Sequence, residues 1–125
     1  MDLLEHQGKQ LFRRHGIPVP AGALWPDTPA GVTDLVVKAQ IPGGGRGKRG
    51  GIRFADSVGA AAEAAQALAD WASDGTPTTG VYLEARLEIR QEVYLAVAVD
   101  RDRRCPVVLA SPHGGVDVDH APADD

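Results

Sequence analysis

The sequence is poor in several things at once. Its 125 residues hold one cysteine, Cys105, and only two each of Trp, Tyr and Phe. A single cysteine excludes an intrachain disulfide, so a reducing compartment fits, and the expected state of Cys105 is a buried or idle thiol. With aromatics at 5%, Leu, Val and Ala must fill the interior. No apolar run approaches the ~20 residues that a membrane-spanning helix needs and no signal-like stretch follows Met1, so a soluble, cytoplasmic chain is expected. Surplus positive charge is missing too. Thirteen Lys and Arg against 17 Asp and Glu leave a net charge of −4, which argues against general affinity for nucleic acid or an anionic membrane surface. There are no internal repeats, and the length fits one domain.

Glycine, by contrast, is plentiful and concentrated. Six of the nine residues 43–51 (GGGRGKRGG) are glycine, and the other three are Arg46, Lys48 and Arg49. Backbone without Cβ atoms lets amide N–H groups approach an anion, and the three cations add charge, so the loop suits phosphate. Several uses fit the string. Gly45-x-Gly47-x-x-Gly50 matches the dinucleotide fingerprint literally, but that motif opens a helix, whereas residues 52–54 read as extended. A P-loop needs Ser or Thr where Arg49 stands and glycine where Pro42 stands. Arg49 to Gly51 is a minimal RGG piece, yet RNA-binding segments of that type are long and repeated. A plain hairpin loop with solvated charges is the bland alternative.

The rest of the chain places this loop. Asp2 with Glu5 three residues on predicts a helix start, with Leu4, Gly8, Leu11 and Phe12 on its apolar face and Gly16 as its stop. Pro18, Pro20, Pro26 and Pro29 make residues 17–34 extended and turn-rich. Residues 35–40 (LVVKAQ) read as a strand feeding the loop, and Ile52 and Phe54 as a returning strand. Eight alanines over residues 56–73 give the strongest helix signal, capped by Asp56 or Ser57 and ended at Asp74-Gly75. Residues 81–86, 92–99 and 106–110 then read as three strands, the last two joined as an antiparallel hairpin through residues 100–104. The acidic residues 116–125 read as a frayed tail. The expected class is α+β, with mainly antiparallel strands, an N-terminal helix and one Ala-rich helix.

The order of motifs resembles a known family. MDLLEHQGKQLF at the start, VVKAQ around Lys38, GGRGKRGG, LEA around Glu84, EVYLA from Glu92, and Ser111-x-x-Gly114-Gly-Val116 follow one another as in the β subunit of succinyl-CoA synthetase and related ADP-forming acid-CoA ligases, such as malate-CoA ligase. The resemblance spans essentially the whole chain and implies a partial ATP-grasp fold, in which two α+β lobes hold ATP between them. Residues 1–12 and the strands after Glu92 would lean toward one lobe, and residues 20–90 would form the small nucleotide-binding lobe.

Carried over by resemblance, Lys38 reaches the nucleotide phosphates while Gly45, Arg46 and Gly47 cover them. Glu84 and Leu87 fall where the interlobe hinge meets adenine, and Glu92 where a carboxylate accepts from ribose hydroxyls. Read alone, a strand glutamate such as Glu84 or Glu92 is ordinary solvated surface. Lys38 is different, because a lysine closing an apolar run is costly to bury without an anion. Pro42 stands where the succinyl-CoA enzymes usually carry His, Arg49 replaces a small residue, and Leu87 replaces a more polar one. The connections before Lys38 and Glu84 are short for the family.

The implied reaction joins a carboxylic acid to CoA at the expense of ATP, giving ADP and phosphate through an acyl phosphate and a phosphohistidine on a partner subunit. Mg2+ would bind only in a completed site, since the family's metal-binding residues lie beyond the hairpin. His113 and His120 are not in the phosphohistidine context, and Asp117, Asp119, Asp124 and Asp125 read as solvated. The chain is therefore expected to carry half of an ATP site, inactive alone and completed by a second polypeptide or by self-association. The alternative is a stand-alone, non-catalytic nucleotide- or phosphate-binding or interaction module.

Overall fold

Alternation within a short apolar run decides the central sheet. In β2 (Leu35–Ala39) Leu35, Val37 and Ala39 are buried while Val36 and Lys38 point to the other side, the two-residue period of a strand. In β6 (Val81–Ala85) Val81 and Leu83 share the buried face with them, and Tyr82 and Glu84 share the opposite one. Together with β1 (Gly22–Leu24) and β3 (Ile52–Ala55) they form an antiparallel sheet in the order β1-β6-β2-β3. The computed structural model describes residues 3–43, 45–73 and 75–114, which fall into two units, Met1–Leu87 and Glu88–Asp125.

The apolar face of the sheet is covered by α2 (Val58–Ala69). Ser57 caps it by accepting from the Ala60 amide at 3.2 Å, and Ala61, Ala65 and Leu68 present one buried stripe at helical spacing. Alanine at two of these three positions lets the helix sit close, and Leu68 fills the space between it and Leu35, Val37 and Leu83. The helix ends earlier than expected. Trp71 leaves the helical path, its carbonyl accepts from the Thr78 amide and hydroxyl at 3.0 and 2.7 Å, and β4 (Ala72–Ser73) pairs with β5 (Thr76–Pro77).

The other face is covered differently. The first helix, α1 (Glu5–Arg14), starts after Leu4 rather than at Asp2, which lies outside the described residues; Leu4 N–H donates to Gln7 Oε1 at 2.9 Å. It stops at Gly16 as expected, with φ +73°. The stripe of Leu4, Gly8, Leu11 and Phe12 is not its docking face: no α1 residue is buried, and Leu11 and Phe12 are exposed. The sheet offers α1 Lys38, Glu84 and the Tyr82 hydroxyl on this side, so Glu5, His6, Lys9 and Arg13 turn toward it instead. Between the two elements, β1 forms where only a turn-rich passage was expected, because β6 supplies a partner edge through Gly22↔Glu84.

The second unit contains β7 (Tyr94–Asp100) and β8 (Cys105–Ser111), paired antiparallel as expected, with Asp100 Oδ1 accepting from the Asp102 and Arg103 amides at the turn. The expectations placed on Gly44, Asp74 and residues 115–125 lie outside the described residues. Among the described residues no helix is long and apolar enough to cross a membrane.

Candidate functional site

Strand register brings the first two charged residues together. Val36 pairs with Glu84 and Lys38 with Tyr82, so Lys38 and Glu84 are diagonal neighbours on the face turned away from α2. Lys38 Nζ donates to Glu84 Oε2 at 2.6 Å. Glu84 is only 4% exposed, which rules out the solvated-surface reading for it.

From α1 two further side chains arrive. Glu5 and Lys9 stand one helical turn apart and pair at 2.7 Å, Lys9 also binds Glu84 Oε1, and Glu5 Oε1 accepts from Lys38 Nζ at 2.9 Å. The glycine loop adds Arg46, whose guanidinium pairs with the second oxygen of Glu5. Three cations thus meet two carboxylates, leaving one net positive charge on a largely enclosed surface.

Burial and charge pull these groups in opposite directions. Withdrawal from water would raise the Glu84 pKa, but the hydrogen bonds and charges of Lys38 and Lys9 outweigh it and hold Glu84 below its ordinary value. Burial lowers the Lys9 pKa despite the Glu84 bond, with the like charge of Lys38 acting the same way. Burial also lowers Arg46, which still keeps its charge because guanidinium starts so high.

Around this cluster the aromatic and amide groups act as supports. Tyr82 lies beneath Lys9, 5.6 Å from the ammonium to the ring centroid, and stacks with His6 at 6.3 Å. The buried Gln40 accepts from the His6 amide at 3.2 Å and donates back to the Lys38 carbonyl at 3.2 Å, tying α1 to the end of β2.

The loop after Gln40 is a closed turn at its far end. The amides of Arg49 and Gly51 donate to the Arg46 carbonyl at 3.2 and 2.9 Å, and Gly50 donates to Gly47, so these N–H groups serve the loop itself. Gly45 takes φ +77°, a conformation strained for any residue with a Cβ, and it turns the chain toward Arg46. Gly51 closes the base against Trp71: a Cβ there would lie 2.8 Å from the indole ring.

Of the residues that the sequence singled out, Lys38, Arg46 and Glu84 converge, and Gly45 and Gly47 flank Arg46. Leu87 is 59% exposed at the last position of the first unit, and Glu92 belongs to the second, where its carbonyl accepts from the Gly114 amide at 3.1 Å. Leu87 makes no described contact with the cluster. Glu5 and Lys9 were not read as site residues; their i, i+4 spacing, which puts opposite charges on one helix face, was the available signal. Lys9, Lys38 and Arg46 fit phosphate oxygens by charge and donor count. Mg2+ has no comparable fit, since among the described residues no three His, Cys, Asp or Glu side chains are grouped to hold a metal.

The family model of the ATP-grasp domain matches residues 2–124. The chain is 39% identical to the succinate–CoA ligase [ADP-forming] subunit beta of Xylella fastidiosa (strain 9a5c), over 99% of this chain and 36% of the relative. It is 42% identical to that of Pseudomonas syringae pv. syringae, over 95% of this chain and 34% of the relative. For Aquifex aeolicus the identity is 37%, over 95% and 34%. The chain therefore spans about a third of the length of the curated relatives it matches.

Proposed function

Because this chain belongs to the ATP-grasp domain family, we propose that its first unit grips nucleotide phosphates as part of an ADP-forming acid-CoA ligase of the succinate–CoA ligase β type. One observation carries the reading: Lys9, Lys38 and Arg46, from three separate elements, meet on one largely enclosed surface with more positive than negative charge. Lys38 donates to phosphate oxygens as a point charge, and Arg46, flanked by Gly45 and Gly47, adds a planar guanidinium from the loop. Glu84 anchors Lys9 and Lys38 from below, which keeps their heads fixed while the ligand is absent. Leu87 contributes backbone to the adenine, and Glu92 accepts from ribose hydroxyls.

In the same reading residues 20–90 supply the small lobe and the β7–β8 hairpin begins the other. The complete reaction forms acyl-CoA from a carboxylic acid and CoA, with ATP going to ADP and phosphate, in the cytoplasm. These residues contribute grip and charge neutralisation, and a second polypeptide supplies the CoA-ligase chemistry and the Mg2+ ligands. A second reading, a non-catalytic interaction module, draws on the hairpin, where Leu95, Val97, Val99 and Val108 form an exposed apolar face.

Calorimetry with ATP and ADP tests the proposal. Wild type should bind both, and Lys38→Ala should weaken binding by about 10- to 100-fold, the loss of one charge-assisted contact of roughly 1.5–3 kcal/mol. Absence of heat from the wild-type chain with either nucleotide would leave only the interaction reading.

A further inference from the structure

Lys38 has three N–H donors, and two are already taken, one by Glu84 and one by Glu5. Arg46 is likewise engaged with Glu5. A phosphate group that is to receive Lys38 and Arg46 fully must replace a carboxylate. The two carboxylates are not equally held. Glu84 sits on β6, between β1 and β2 in the sheet, and is nearly fully buried. Glu5 sits in the first turn of α1, a helix with no buried residue, and its side chain retains 20% exposure.

We propose that Glu5 is the resident counter-ion of the phosphate site, pairing with Lys38 and Arg46 until nucleotide phosphates displace it, so that ligand binding loosens α1 from the sheet. The inference rests on the nucleotide-binding reading and deepens it. Glu5 touches all three cations, Lys9, Lys38 and Arg46, as an incoming phosphate would. It presents one negative charge, whereas a di- or triphosphate brings several, so the exchange favours the ligand. The held arrangement also lowers apparent affinity. If it outweighs the released arrangement by about tenfold, the observed dissociation constant rises by the same factor. After release α1 keeps the Lys9–Glu84 pair, the His6–Gln40 bonds and the bond from Arg13 to the Pro20 carbonyl, so the helix loosens without leaving.

Two measurements on the full chain test this. In calorimetry with ATP and ADP, Glu5→Gln, which removes the charge and keeps the shape, should bind about tenfold more tightly than wild type, while Lys38→Ala should bind more weakly than either. If folded Glu5→Gln binds no more tightly than a wild-type chain that does bind, the counter-ion inference is overturned and the nucleotide reading stands. If neither binds, both are overturned. Amide hydrogen exchange of the wild type needs no substitution: residues 5–14 should exchange faster with saturating ATP than without it, and unchanged or slower exchange there overturns the inference.

Discussion

Lys38 and Glu84 stand two residues out of register on neighbouring strands, and their charged ends meet at 2.6 Å on the face of the sheet that α2 does not cover. Glu84 is also the partner of Lys9, so one carboxylate restrains two ammonium groups. Removing it leaves those two cations sharing only Glu5, which already serves Arg46 as well. Glu84→Gln should therefore lower stability by about 3 kcal/mol, the loss seen when one partner of a buried pair is removed. Urea unfolding followed by tryptophan fluorescence measures it, and a change within 0.5 kcal/mol of zero, about the scatter of surface substitutions, would show that the network is solvated.

The same pair sets an acid response. Because the folded-state pKa of Glu84 is depressed, its stabilising contribution is complete above the ordinary glutamate value of 4.5 and disappears as the pH falls through the lower folded value. The stability difference between wild type and Glu84→Gln should thus be constant near neutrality and shrink only on strong acidification. A difference that already shrinks between pH 7 and pH 5 would contradict the assignment.

Trp71 and Gly51 offer a test of the loop. A methyl group at position 51 would meet the indole at 2.8 Å, so Gly51→Ala must push Trp71 or the loop base aside, at about 1–3 kcal/mol. Nucleotide affinity should fall with it, since Arg46 is bonded to Gly51 through its carbonyl. Gly59→Ala, which meets open space in the first turn of α2, is the control and should leave affinity unchanged. Equal affinities for all three proteins would detach the loop base from ligand binding.

The core under α2 depends on one large side chain. Leu68 is fully buried against a stripe otherwise made of Ala61 and Ala65, so Leu68→Ala should cost about 2–5 kcal/mol. Thermal melting by circular dichroism reports it, and a melting point within 2 °C of wild type would mean that the sheet collapses onto the helix to refill the space.

On the β7–β8 hairpin, Val97 is 74% exposed amid Leu95, Val99 and Val108. If this face associates with another chain, as the interaction reading holds, Val97→Lys should lower the associated fraction in sedimentation velocity while leaving the melting of the first unit intact. Identical sedimentation of the two proteins as monomers would remove self-association from the proposal.

The elements of local origin were readable in advance. The LVVKA strand, the Ser57-capped alanine helix, the glycine loop between strands and the 94–111 hairpin all follow from periodicity and turn chemistry within a dozen residues. Strand β1 was not, because three residues, Gly22, Ala23 and Leu24, have little preference of their own and pair only because β6 lies beside them. Trp71 was assigned to the helix for the same reason: its packing partner, Gly51, is 20 residues away in sequence.

The sequence by itself determined that a basic glycine loop follows a strand ending near Lys38, and the order of motifs was enough to point to the family. Only the tertiary structure decided which carboxylates meet those cations. Glu5, Lys9, Lys38, Arg46 and Glu84 come from a helix, two strands and a loop, and beyond the i, i+4 step from Glu5 to Lys9 no spacing along the chain relates them. Strand register puts Glu84 on the face of Lys38 rather than in the core, and α1, with charges rather than apolar residues toward that face, brings Glu5 onto Lys38 and Arg46. Ion pairing acts over a few ångströms and depends on which atoms folding brings that close, which is why Lys38, Arg46 and Glu84 were singled out in advance while Glu5 and Lys9, their partners, were not.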